Sequence, residues 1–136
     1  MAEKYERLVR LVENRAGDAF RGAIRYHEGG HTILYLRDDI ATDAFRDAVD
    51  GLIERARAYE PLSRPESYPT LGATQASVEL YEAAAVIHFR EGPNTGILVS
   101  LDRDVAQGLG AFVTRCTSVL VENGGVEGAD GPESPD

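Results

Sequence analysis

The chain has 136 residues, 43% of them hydrophobic, and a formal charge of −9 from 23 acidic and 14 basic side chains. That length and apolar fraction suit one globular domain and argue against a disordered chain, and no apolar run nears the ~20 residues that span a bilayer. The acidic balance argues against nucleic-acid binding by backbone neutralisation, which needs surplus Lys and Arg on one face.

From Glu3 to Ala16, Tyr5, Leu8, Val9, Leu11 and Val12 recur at helical spacing, which predicts an amphipathic helix ending near Gly17. Ala23–Glu28 and His31–Leu36 are β-favouring runs around Gly29-Gly30, and they predict a tight hairpin with the glycines supplying positive φ. A second helix is expected from Thr42 to about Tyr59, with Phe45, Ala48, Val49, Leu52, Ile53 and Ala56 as its buried stripe. Pro61, Pro65 and Pro69 make 60–71 an extended loop. Strands follow near Thr74–Tyr81, Ala84–Arg90 and Thr95–Leu101, the last two joined by the turn Glu91-Gly92-Pro93-Asn94.

Asp102 or Asp104 is positioned to cap a last helix running to about Val121, with Val105, Leu109, Phe112, Val113, Cys116 and Leu120 on its apolar face. Cys116 on that stripe reads as a buried structural thiol. The whole reads as one α+β domain over 1–121, in the order α-β-β-α-β-β-β-α. A five-stranded, mainly antiparallel sheet would be packed by three helices in a two-layer or α/β/α sandwich. From Glu122 the composition turns to Gly, Glu, Asp, Pro and Ser, which predicts a disordered acidic tail over 122–136. Five of the 23 acidic residues lie there, so the domain itself carries only about −4.

One motif invites a catalytic reading. His27-Glu28-Gly29-Gly30-His31 matches the H-E-x-x-H pattern, in which two histidines on one helical face converge on zinc. Two adjacent glycines cost such a helix about 1 kcal/mol each, and the flanks alternate as strands do. On a two-residue turn at Gly29-Gly30, Glu28 would face His31, and His27 and His31 would point to opposite faces. A three-residue loop would instead make the two histidines cross-strand partners, so they stay weak metal candidates. No catalytic residue, cofactor or metal is expected.

Arg37-Asp38-Asp39 with Asp43 clusters carboxylates at a strand end, where a magnesium or phosphate site could form. The plainer account is charge at a helix N-terminus, with Arg25 or Arg37 as the ion-pair partner. His88, in an alternating strand, reads as structural. A pocket between the sheet and the proline loop, lined by Tyr68, Tyr81 and Phe89, would suit a small-molecule sensor.

The basic set comprises thirteen arginines and one lysine, Lys4. Together with the acidity this points to a salt-accumulating cytoplasm, where screening relieves self-repulsion; a GC-rich genome would also favour Arg codons. One cysteine, and an N-terminus without the order of a signal peptide, give the cytoplasm as the expected address.

Arg25-Tyr26-His27-Glu28, Tyr35-Leu36-Arg37-Asp38-Asp39, Val86-Ile87-His88-Phe89 and Val99-Ser100-Leu101-Asp102 resemble a haloarchaeal family of small uncharacterised proteins, a domain of unknown function. The resemblance covers about residues 4–120, implies a halophilic cytoplasm and brings no activity with it. It marks Arg25, Tyr35, Arg37, Asp38 and Asp39 as a structural joint or an interaction site. Element order and the stretch from Gly96 to Phe112 are more loosely similar to roadblock and profilin-like domains, or to a PAS-like sandwich. Roadblock-like proteins are mostly dimeric adaptors or regulators, although these residues lack their Gly-Asp-Gly turns in the first hairpin. The function expected is a non-enzymatic interaction or regulatory module binding a protein partner or itself as a homodimer, with neither nucleic acid nor membrane. A small-molecule sensor is the alternative, and a metal-dependent hydrolase on His27, Glu28 and His31 the remote one.

Overall fold

The structure is a computed structural model and describes residues 2–127. The chain divides into two compact units, Met1–Val105 and Ala106–Asp136. The first holds α1 (Ala2–Ala16), β1 (Phe20–His27), β2 (Gly30–Leu36), α2 (Asp43–Ala58), β3 (Ser77–Leu80), β4 (Ala84–Gly92) and β5 (Thr95–Asp102). The second holds α3 (Gln107–Glu127). The class is α+β and the element order is the expected one. All strand pairs are antiparallel, in the order β2-β1-β5-β4-β3.

Strand alternation sorts the sheet into two faces. On one, Ala23, Val99 and Ile97 pack with Phe20, Leu101 and Tyr5 of α1. Leu8, Val9 and Val12 bring the stripe of α1 onto this core, and Phe20 and Tyr35 stack at 4.4 Å. On the other face Ile24 and Tyr26 meet Val49, Ile53 and Ala56 of α2. Each such aliphatic side chain contributes about 1.5–3 kcal/mol by leaving water.

Thr42 opens α2, its Oγ1 accepting from the Phe45 N–H at 3.2 Å. Arg55 and Arg57 in its last turn complement the helix dipole. Because β2 and β3 are opposite edges, the link through α2 carries the chain across the whole sheet. The helix packs on the β1 side and leaves the face of β3 and β4 largely open.

The hairpin differs by one residue from expectation. Glu28-Gly29 forms the turn, His27 pairs with Gly30 and Tyr26 with His31, so Glu28 does not face His31. Only Gly30 of the two glycines takes a positive φ, 145°, as the first residue of β2. Sliding a two-residue turn by one position changes every partner but conserves parity, so the residues next to the turn keep their faces; a register shift between Ala23 and Ile24 then moves Tyr35 and Leu36 each to the other face.

In the second unit α3 follows a 3-10 turn at Arg103–Ala106 and runs to Glu127. Cys116 is exposed, not buried, as are Leu109, Phe112 and Leu120. Periodicity identifies an apolar stripe without saying what covers it. The tail expected from Glu122 falls on the end of α3 and on 128–136, which lie outside the described residues.

Candidate functional site

The Arg-Asp-Asp element is spent internally. Arg37 Nε donates to Asp39 Oδ1 at 2.6 Å and Nη2 to Asp39 Oδ2 at 3.1 Å. Nη1 and Nη2 reach Asp102 at 2.9 and 3.1 Å, and Nη1 also donates to the Asp18 carbonyl at 2.7 Å. A guanidinium has five N–H donors, and here each has an acceptor. The hydrogen bonds raise the Arg37 pKa further and hold the Asp39 and Asp102 carboxyls below their usual value. The fork ties the end of β2 to the loop before β1, the entry to α2 and the end of β5.

Asp38 is exposed, and Asp43 pairs with Arg46 at 2.7 Å instead of joining the cluster. Tyr35 belongs to the α1-side core. Arg25 is not a partner of the Asp cluster: its guanidinium stacks 4.8 Å above Tyr5, and its buried Nε, without a hydrogen bond among the described residues, lies 4.0 Å from Glu91 Oε1. Glu91, which sequence reasoning missed, accepts from the Tyr5 hydroxyl at 3.1 Å and pairs with Lys4 at 3.1 Å. Its role depends on β4 running beside α1, which no local pattern reveals.

His27 and His31 do not converge. His27 shares a face with Arg25 and reaches Thr32 Oγ1 at 3.3 Å, whereas His31 lies opposite Tyr26 on the α2 face. Among the described residues no group of three or more His, Cys, Asp or Glu is placed to hold a metal.

The open half of the α2 face forms a groove of about 890 Å³. Two cross-sheet rows make its floor. One runs Ile24, Leu98, His88, Ser77 and the other Leu36, Gly22, Ser100, Val86, Glu79. Phe45, Leu52 and Tyr59 line it from the helix side and Tyr81 from the β3 end. Of the pocket residues expected from sequence only Tyr81 is here, since Tyr68 is exposed elsewhere and Phe89 packs in the α1-side core.

His88 gives this floor its polar point. Its Nε2 lies 2.8 Å from the hydroxyl of Tyr26, a side chain with 0% exposure, and Tyr59 meets the imidazole edge-on. Among the described residues the Tyr26 hydroxyl has no other partner, and the direction of this bond follows the imidazole tautomer. Burial, aided by the Arg90 charge, holds the His88 pKa below its usual value, and burial raises that of Tyr26. Gly96 makes room for this pair, because a Cβ there would stand 2.5 Å from Tyr26 Oη.

Among the described residues no helix is long and apolar enough to cross a membrane. The family model described as Domain of unknown function (DUF7522) matches residues 6–121, and the chain belongs to that family. No curated protein matches the chain.

Proposed function

We propose that this member of the family is a non-enzymatic interaction or regulatory module of a salt-rich cytoplasm, self-associating through the free edge of β2. The observation that carries the reading is the edge itself. Its seven residues, Gly30-His31-Thr32-Ile33-Leu34-Tyr35-Leu36, include no Asp, Glu, Lys, Arg or Pro, and Ile33 is 43% exposed. Sheet edges are ordinarily guarded by charge, proline, shortness or a bulge, and β2 has only the last, a register shift between Ile33 and Tyr35. The other edge, β3, is guarded: it is four residues long and carries Glu79. Two copies of β2 can pair antiparallel about a two-fold axis without placing like charges opposite each other.

The observed element order, on which the likeness to roadblock and profilin-like domains rests, supports a dimeric adaptor. Light scattering on a size-exclusion column in molar KCl tests this. A dimer is expected for the wild type and a monomer for Ile33→Lys, whose charge sits on an already exposed position. A wild-type monomer across concentrations sinks the proposal.

The groove favours a second reading, a small-molecule sensor. Its size falls in the range of ligand pockets, and thermal-shift screening tests it, a ligand of the folded state being expected to raise Tm.

A further inference from the structure

We infer that the groove binds an apolar monocarboxylate, its hydrocarbon on the sheet rows and its carboxylate on Arg55. This rests on the second reading, that the groove is a small-molecule site. Shape and polarity select the body of the ligand: Ile24, Leu36, Leu98 and Val86 below, with Leu52 and Tyr59 from the helix side, make a largely apolar trough.

Charge selects the head group. The chain as a whole is strongly acidic, yet the groove is lined by two cations, Arg21 and Arg55, and one carboxylate, Glu79. Glu79 already accepts from the Tyr81 hydroxyl. Arg21 is engaged as well, donating to Ser100 Oγ at 3.0 Å with Asp102 3.9 Å away. Arg55 alone of the three has no hydrogen bond or ion pair among the described residues. Its guanidinium lies beside Gly51, with Nη1 3.6 Å from where a Cβ would stand. A guanidinium with free N–H groups beside an apolar trough matches a carboxylate, which it can bind through two parallel hydrogen bonds. An ammonium head would meet two positive charges, and a neutral hydroxyl would forgo the charge-assisted bonds.

The probes are decanoate, decan-1-ol and decylammonium, titrated by calorimetry at one salt concentration where circular dichroism shows the chain folded. Decanoate is expected to bind at least tenfold tighter than the alcohol, and decylammonium most weakly. Arg55→Gln, at an exposed position, should reduce decanoate to the level of the alcohol and leave alcohol binding unchanged. Equal binding of decanoate to wild type and Arg55→Gln, or decylammonium binding as tightly as decanoate, overturns the inference while leaving a groove that binds apolar chains. Failure of all three probes overturns both this inference and the sensor reading. The dimer proposal is read separately, from Ile33→Lys.

Discussion

Gly96→Ala tests the reasoning behind the Tyr26–His88 pair most directly. A Cβ at position 96 would stand 2.5 Å from Tyr26 Oη, 2.7 Å from Tyr26 Cζ and 2.7 Å from the Phe89 carbonyl oxygen. Ordinary contacts begin near 3.4 Å, so roughly 1 Å of movement is needed on two sides at once. Neither neighbour moves easily. Tyr26 is fully buried, and the Phe89 carbonyl belongs to β4, which pairs with β5 on both sides of Gly96. Overpacking of this kind costs about 1–3 kcal/mol. Displacing the ring also breaks the 2.8 Å bond to His88, which adds about 1 kcal/mol. The total of about 2–4 kcal/mol corresponds to a fall in Tm of about 8–16 °C for a domain of this size. Denaturant melts of wild type, Gly96→Ala, Tyr26→Phe and the double variant close a cycle. Because Tyr26→Phe removes the nearest atom, the double variant should lose less than the two singles summed. A Gly96→Ala variant within about 0.5 kcal/mol of wild type, or strict additivity, would refute the close-packing argument.

Arg37→Lys should fold but melt lower than wild type, since three rotatable donors replace a five-donor fork; an unchanged Tm would show the joint to be ornamental. Acid should destabilise the protein in two stages, followed by chemical melts at stepped pH. His88 titrates below its ordinary value of 6.5 in the fold, so the unfolded state takes up its proton first. Stability is complete above about 6.5 and falls as pH drops from there through the lower folded value, a stage that His88→Gln should remove. Asp39 and Asp102, held below their ordinary 3.8, hold stability above that value and lose it as pH falls further. That second stage should shrink in Arg37→Lys. Loss of compactness is expected at low salt, read by small-angle scattering, and equal compactness in dilute buffer and molar KCl would count against the salt-rich habitat. Cys116, exposed on α3, should react with a thiol reagent in the native state at nearly its rate in denaturant.

The strands and helices were legible because each shows its own period: Val86, His88 and Arg90 alternate against Ile87 and Phe89, and α1 and α2 show helical stripes. That same alternation separates Phe89 from the groove, since it must face away from His88. Gly29-Gly30 located the hairpin only to within one residue, because two glycines permit the turn at either position. Parity nonetheless kept His27 and His31 apart. Arg37-Asp38-Asp39 was visible as a motif, but Asp102, which lies 65 residues away and closes the fork, was not. It meets Arg37 only because β2 and β5 both neighbour β1. The groove was hidden for a related reason: it exists because α2 packs toward β1, a matter of tertiary placement. A helical stripe likewise cannot say whether Cys116 is covered.

The scarcity of lysine also takes on a structural meaning. Arg57 donates to the carbonyls of His27 and Gly30 at 2.7 and 3.2 Å, clamping the first hairpin onto α2. Arg90 donates to the carbonyls of Ala56, Arg57 and Tyr59 at 2.8, 3.1 and 2.7 Å, satisfying the acceptors that the end of α2 leaves open. Arg103 reaches the Tyr81 carbonyl at 2.8 Å, at the β3–β4 turn. Arg57 and Arg90 make these bonds through Nη2 and use Nη1 for a second site, Glu54 for Arg57 and the Pro93 carbonyl for Arg90, a division between two nitrogens that a single ammonium does not provide. The bonds are also short. In molar salt the screening length falls to about 3 Å, so ion pairs held across solvent fade while hydrogen bonds made in contact persist. Arginine used this way keeps its stabilising effect in molar salt as well as in dilute buffer. Codon bias explains an excess of arginine, but it does not explain why these arginines sit on the open carbonyls of a helix end and two turns. Asp39, Asp102 and Glu91 share in that work, but other carboxylates do not: Asp38, Asp47, Asp50 and Glu66 are exposed and free to hold water and cations. Part of the negative charge therefore faces solvent while much of the positive charge is consumed in holding the fold, and a groove lined by Arg21 and an uncommitted Arg55 stands out against both.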